Sequence, residues 1–146
     1  MCLAQLNNPD EMPNEMEGWK VVGIEKQGKS KVTQHDFYLC QCLWYPPVYY
    51  TRTEKYEEWI RAGFTENIQC GAENKSYKCG FHIFQNKDDA IKWTTPEERV
   101  VKVKCRKITA IGTQRLSIQT GVRTYADRYV PAFVAQEIYV EKPKHC

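Results

Sequence analysis

The sequence predicts an α+β fold: a single domain over residues 1–146, with a mostly antiparallel sheet of about five or six strands and two short helices on one face. Three observations predict it. Residues 100–108 alternate, Val101, Val103 and Cys105 against Lys102, Lys104 and Arg106, as a strand with one wet, basic face does. Residues 52–62 and 86–93 each open on capping residues and carry apolar side chains at helical spacing. Residues 76–93 show both patterns in succession, strand, then tight corner, then helix.

The elements follow in chain order. Residues 1–17 hold Asp10, Glu11, Glu15 and Glu17 without Lys or Arg, and Pro9 and Pro13 besides, which reads as an acidic, turn-rich N-terminal arm. A first strand is expected over 19–25, a turn over 27–31, and a second strand over 36–44. Pro46 and Pro47 stop that strand, because neither can donate to a ladder and each restricts the residue before it. Thr51-Arg52-Thr53-Glu54 matches a capping box, Tyr56, Trp59 and Ile60 share one helical face, and Gly63 suits a left-handed C-cap, so a short helix is expected over 52–62.

After a polar loop over 64–76, Tyr77, Phe81 and Ile83 fit one side of an extended segment. Asn86 is a good N-cap, Asp88 and Asp89 sit at the positive end of the helix dipole, and Ala90, Ile91 and Trp93 supply a buried stripe. One more helical turn is expected over 94–98. The strand at 100–108 continues over 108–118 with a break at Gly112, and a basic loop covers 119–128. Residues 132–140 are apolar on both sides apart from Gln136 and Glu137, which predicts a central or well-covered strand.

Hydrophobic residues make up 42% of the chain and aromatics 12%, a globular composition. No apolar run approaches the roughly 18 residues of a membrane span, and residues 1–4 lack the basic start and apolar core of an export signal, so a cytoplasmic location without membrane contact is expected. Seven cysteines, an odd number with several in apolar runs, read as reduced, small hydrophobes. Cys40 and Cys42 share a strand face, but none of the usual knuckle spacings is present, and no metal or other cofactor is expected. Cys2 would be N-terminal if Met1 were removed, as in glutamine amidotransferase-type hydrolases, yet the chain is short for their four layers and lacks their glycine-rich motifs.

Charge is the most quantitative clue to function. Residues 99–128 carry eight basic side chains against one acid, an excess of seven, although the whole chain carries only +3. Such a run is usually a solvated face. Its functional alternative is a partner-binding surface made of Lys102, Lys104, Arg106, Lys107, Arg115, Arg123 and Arg128 with Tyr125 among them, because clustered cations attract anionic partners. A host protein or nucleoprotein complex, a nucleic acid or a nucleotide would each fit. His82, on an otherwise apolar strand, reads first as a core residue with its ring nitrogens satisfied.

Two resemblances add to this reading. Gly80-Phe81-His82-Ile83-Phe84, Asp88-Asp89-Ala90, Val100-Val101-Lys102-Val103, Ala110-x-Gly112-x-Gln114 and Val134-Ala135-Gln136-Glu137-Ile138 resemble small uncharacterised proteins of bacteriophages and bacterial mobile elements. That likeness covers about the last half of the chain. It implies a phage accessory protein acting by binding, as inhibitors of CRISPR and other host defences do. The second resemblance is to the ADP-ribosyltransferase fold, carried by residues 50–64 as a helix ending in Gly63-Phe64, by the middle strand at Gly80-Phe81, and by Glu137 on a late strand. It implies an NAD-dependent transferase with Glu137 as the catalytic glutamate and His82 and Arg52 in support.

Overall fold

The computed structural model describes residues 3–24, 36–41, 52–70, 74–92, 94, 98–116, 119–120, 123–124 and 128–142. In chain order the elements are β1 (Gln5–Leu6), β2 (Glu15–Gly23), β3 (Asp36–Leu39), β4 (Arg52–Lys55), β5 (Trp59–Arg61), β6 (Asn67–Gln69), β7 (Ser76–Lys78), β8 (Phe81–Phe84), α1 (Lys87–Lys92), β9 (Glu98–Leu116), β10 (Gln119–Thr120), β11 (Arg123–Thr124) and β12 (Arg128–Val140). Eight of the strands form one antiparallel sheet, while β6 pairs β7 and β10 pairs β11 in small ribbons.

The fold is therefore mostly β, and the α+β expectation with two helices is overturned: α1 is the one helix among the described residues. The other expected helix, 52–62, is the pair β4 and β5 joined by a turn at Glu57, whose φ is 62°. The physical reason is that burying Tyr56 and Ile60, four residues apart, satisfies one helical face and equally well two short strands either side of a turn. The neighbouring strands decide between them. Residues Arg52–Lys55 pair with β3 and Trp59–Arg61 with β12, and the Tyr56 ring packs 4.6 Å from that of Phe37. Of the other expectations, the turn over 27–31 and the extension of the second strand past Gln41 lie outside the described residues, as does most of the helical turn over 94–98.

Pairing closes the sheet on itself. β9 pairs with β12 along one edge and with β2 and β1 along the other, β12 pairs with β8, and β8 meets β2 where Trp19 lies opposite Phe84. The end of β3 is tied in as well, because the Gln41 carbonyl accepts the His82 N–H at 2.8 Å. Alternating side chains along this ring fill two cores. Val22, Phe37, Ile60, Phe81, Ile83, Val103, Cys105, Phe133 and Ile138 share an inner core. Val21, Phe84, Val130, Ala132 and Val134 point the other way, into a second layer that Leu3, Tyr77 and Ala90 cover.

In the 132–140 stretch residues 132–135 are covered on both sides, as its composition predicts, while farther on Ile138 and Val140 face the inner core and Glu137 and Tyr139 the outer face; Tyr77 parts company with Phe81 and Ile83 because the chain breaks at Cys79-Gly80 between β7 and β8. The acidic arm is also drawn into the sheet: Leu3 is fully buried, β1 lies against β9, and Glu15 and Glu17 open β2. α1 begins after Asn86, whose amide donates to the Asp89 carboxylate at 3.3 Å.

β9 is one strand of 19 residues, and its break lies not at Gly112 but at Lys107–Thr109. Buried positions are odd from Val101 to Cys105 and even from Ile108 to Gln114. Lys107 has a φ of 57°, and the register against β12 shifts by one residue between Val134 and Ala135. Such a bulge changes which side chains face inward without ending the ladder. Gly112 serves another end, since a Cβ there would run into the Gln5 carbonyl of β1.

Gly80 sits where β12 passes from β8 to β5, and a Cβ there would collide with the backbone carbonyl of Ala135. Backbone on that side cannot move without opening the ring. Gly80→Ala is expected to lower unfolding stability by about 1–3 kcal/mol, measured by urea denaturation, with the strand content retained at low denaturant.

Candidate functional site

The bulge in β9 organises the outer face of the ring. Arg106 and Lys107 are consecutive, yet both reach the same carboxylate: Arg106 donates from Nε at 2.9 Å and Nη2 at 2.7 Å to Oε1 of Glu137, and Lys107 Nζ lies 2.6 Å from Oε2. In a regular strand successive side chains point to opposite faces; the left-handed Lys107 brings the two together. Hydrogen bonds from Lys107 and then Arg106 hold the Glu137 carboxyl below its usual range. Glu137 is nearly covered, with 6% of its side chain exposed against 41% and 57% for the two cations that cover it.

Register extends this cluster into rows that run across four strands. Arg61, Glu137, Arg106 and Glu15 stand opposite one another from β5 through β12 and β9 to β2. The next row is Trp59, Tyr139, Lys104 and Glu17. Directly opposite residues share a face, so the first row alternates in charge and the second sets two aromatics beside an opposite-charge pair. The Arg106 guanidinium stacks 3.9 Å over the Trp59 ring, Trp59 and Tyr139 are 5.7 Å apart, and Lys104 lies 5.7 Å from the Tyr139 ring. Trp59 remains 40% exposed.

The predicted basic surface is therefore divided. Lys102, Lys104, Arg106 and Lys107 gather at one end, each with an acid beside it: Lys102 pairs with Glu17 at 3.3 Å and Lys104 with Glu141 at 3.9 Å. Arg115 is exposed opposite Tyr129 at the far end of β9, about 30 Å of extended chain away. Arg123 and Arg128 stand in β11 and β12 with side chains outside the described residues, and Tyr125 lies outside them altogether. Trp59 is the residue that the helical reading turns inward; the structure exposes it, with Ile60 buried and Arg61 exposed, an alternation that two successive apolar residues do not show in the sequence.

His82 belongs elsewhere. Its ring is buried in the second layer, with Nδ1 3.1 Å from the Gln41 carbonyl and Nε2 2.9 Å from the Tyr77 hydroxyl, which in turn accepts the Leu3 N–H at 2.7 Å. A carbonyl can only accept, so Nδ1 carries the proton and Nε2 accepts from Tyr77. Its own carbonyl accepts from Nζ of the buried Lys20 at 2.8 Å. Burial first, and then the charge of Lys20, push the His82 pKa down to about 3.

As for the transferase arrangement, both ring nitrogens of His82 and both oxygens of Glu137 are engaged by protein groups. Arg52 opens β4 with its side chain outside the described residues, and the helix of that arrangement is replaced by β4 and β5. Burial raises the Cys105 thiol well above its usual range, which leaves it the protonated, unreactive form. Cys40, Cys70, Cys79 and Cys105 are buried and form no disulfide. Among the described residues, no group of three His, Cys, Asp or Glu is arranged to hold a metal, and no helix is long and apolar enough to cross a membrane.

Two outcomes follow. Because the folded-state pKa of His82 lies below its unfolded value of 6.5, its neutral burial is fully stabilising above pH 6.5 and is lost as pH falls toward 3. Unfolding stability should drop by about 2 kcal/mol between pH 7 and pH 5, and a His82→Phe variant, though less stable throughout, should show little slope in that window. Glu137→Gln should cost about 1–2 kcal/mol in urea denaturation, a loss that Arg106→Gln reproduces only in part because Lys107 still holds the carboxylate.

No protein-family model, curated protein or solved structure matches this chain, so the outer face of β5, β12, β9 and β2 itself carries the reading of function.

Proposed function

We propose that this protein acts by binding and not by catalysis, as a small accessory protein of the phage kind in the cytoplasm of its host, inhibiting a host defence system such as CRISPR through contact with a protein partner. The observation that carries the binding reading is the cluster of Trp59, Arg106 and Tyr139 on the outer face. Trp, Tyr and Arg are the residues that dominate binding energy at protein interfaces, where a fixed ring or guanidinium enters a partner's pocket at little entropic cost. Here Glu137 holds Arg106 and Arg106 lies over Trp59, so the anchors are set before a partner arrives. The phage reading rests on the resemblance of the second half of the chain.

The alternation of charge favours a protein over a polyanion. Acids lie directly beside the cations at the cross-strand spacing of about 5 Å, well inside the screening length of about 8 Å. A nucleic acid approaching this face would meet little net attraction. A protein surface of mixed charge can match it pair by pair.

Pull-down from a bacterial lysate with the immobilised chain tests the reading. Trp59→Ala should lower capture of the specific partner by about tenfold or more, and charge reversal at Lys102, Lys104 and Arg106 together should lower it further at low salt than at high salt. Capture that ignores both the tryptophan and the charges, or turnover of NAD by wild type that Glu137→Gln abolishes, would defeat it.

A further inference from the structure

We infer that the free protein covers this same face with a second copy of itself, packed about a two-fold axis that runs along the strands between β12 and β9. The inference rests on the reading of this face as a docking surface and goes on to name its occupant.

The argument is one of register. The row Arg61, Glu137, Arg106, Glu15 reads plus, minus, plus, minus. Turned over about an axis parallel to the strands, the same row reads in reverse, and an alternating row of even length then meets its opposite at every position. Arg61 of one copy faces Glu15 of the other, and these exposed side chains carry the pairing between copies, because at the middle positions Glu137 is already covered by its own Arg106 and Lys107. An isologous interface needs such self-complementarity, because each contact must occur twice. The adjacent row obeys the same operation: Tyr139 comes opposite Lys104, repeating between copies the cation–ring contact that each makes within itself at 5.7 Å, and Trp59 comes opposite Glu17.

The aromatics supply what the ion pairs do not. Exposed pairs in water contribute little, and their part is to set orientation and to exclude wrong partners. The exposed face of Trp59, at the β5 end of its row, and the half-buried Tyr139 beside it supply the apolar area that the ion pairs lack. A host partner would compete with the second copy for these anchors.

Sedimentation velocity across a concentration series tests the inference. Wild type should pass from one chain mass toward two, and Trp59→Ala should weaken the association. Glu15→Lys and Arg61→Glu, each shown by circular dichroism to be folded, should each weaken self-association on the order of tenfold, because each sets like charges face to face across the axis. An equimolar mixture of the two variants should recover the dimer, since Arg61 of one then meets Glu15 of the other and the two reversed charges meet as well. Wild type that stays monomeric throughout overturns the inference, as does a dimer that both reversals leave untouched, or a mixture that shows no recovery. Lysate capture that still depends on Trp59 in a strictly monomeric protein would separate that failure from failure of the binding reading.

Discussion

Everything in this fold depends on β9 being paired along both edges. Its first half holds β2 on one side and, from Val103 onward, β12 on the other, so the strand contributed near the start of the chain and the one contributed at its end are joined through a single spine. Those partners are far apart in sequence, with Glu15 opposite Arg106. No half of the ring can bury its apolar face before the distant strand arrives, since an isolated hairpin is marginal in water. The closure then produces the two cores at once, because the apolar side chains turned away from the interior at Val21, Phe84, Val130, Ala132 and Val134 are covered from outside by Leu3, Tyr77 and Ala90.

That geometry explains what could be read in the chain and what could not. The alternation at Val101 to Arg106 and the two-sided burial of 132–135 are local patterns that the ring preserves, and so is the strand, corner and helix of 76–92. Residues 52–62 read as a helix in isolation, because Thr51-Arg52-Thr53-Glu54 and the spacing of Tyr56 and Ile60 are compatible with one until β3 and β12 are in place to pair with them. The sequence points to Gly112 for the break in β9, because glycine is the obvious interruption. The actual bulge falls on Lys107, a non-glycine residue in the left-handed region whose position is over-determined by Glu137 and by the pairing on either side.

The second layer shows how a polar chain can be carried through an apolar environment. From the Leu3 N–H through the Tyr77 hydroxyl to His82 and the Gln41 carbonyl, each donor finds one acceptor, and Cys70 Sγ donates to the Leu3 carbonyl at 3.1 Å. All but the Tyr77–His82 bond join elements distant in sequence. The network therefore fixes the first residues of the chain against β7 and β8 with a directionality that apolar packing lacks. It also engages both ring nitrogens of His82 with protein groups, so that the ring is held in one tautomer.

The basic run illustrates why charge counted along a chain misleads in a sheet. Between Lys102 and Lys107 the sequence is strongly cationic, and the acids that answer it come from opposite ends of the protein, Glu17 in β2 and Glu137 in β12. Antiparallel pairing sets them within a few ångströms. What the run gains from this is not a field but an arrangement: cations set beside acids, the buried Glu137 and the exposed Glu17, and one of them held against an exposed tryptophan. A face of this kind steers nothing from a distance. Its discrimination operates only at contact, where a partner that matches the order of the charges pairs all of them and one that matches merely their sum leaves some desolvated and unpaired.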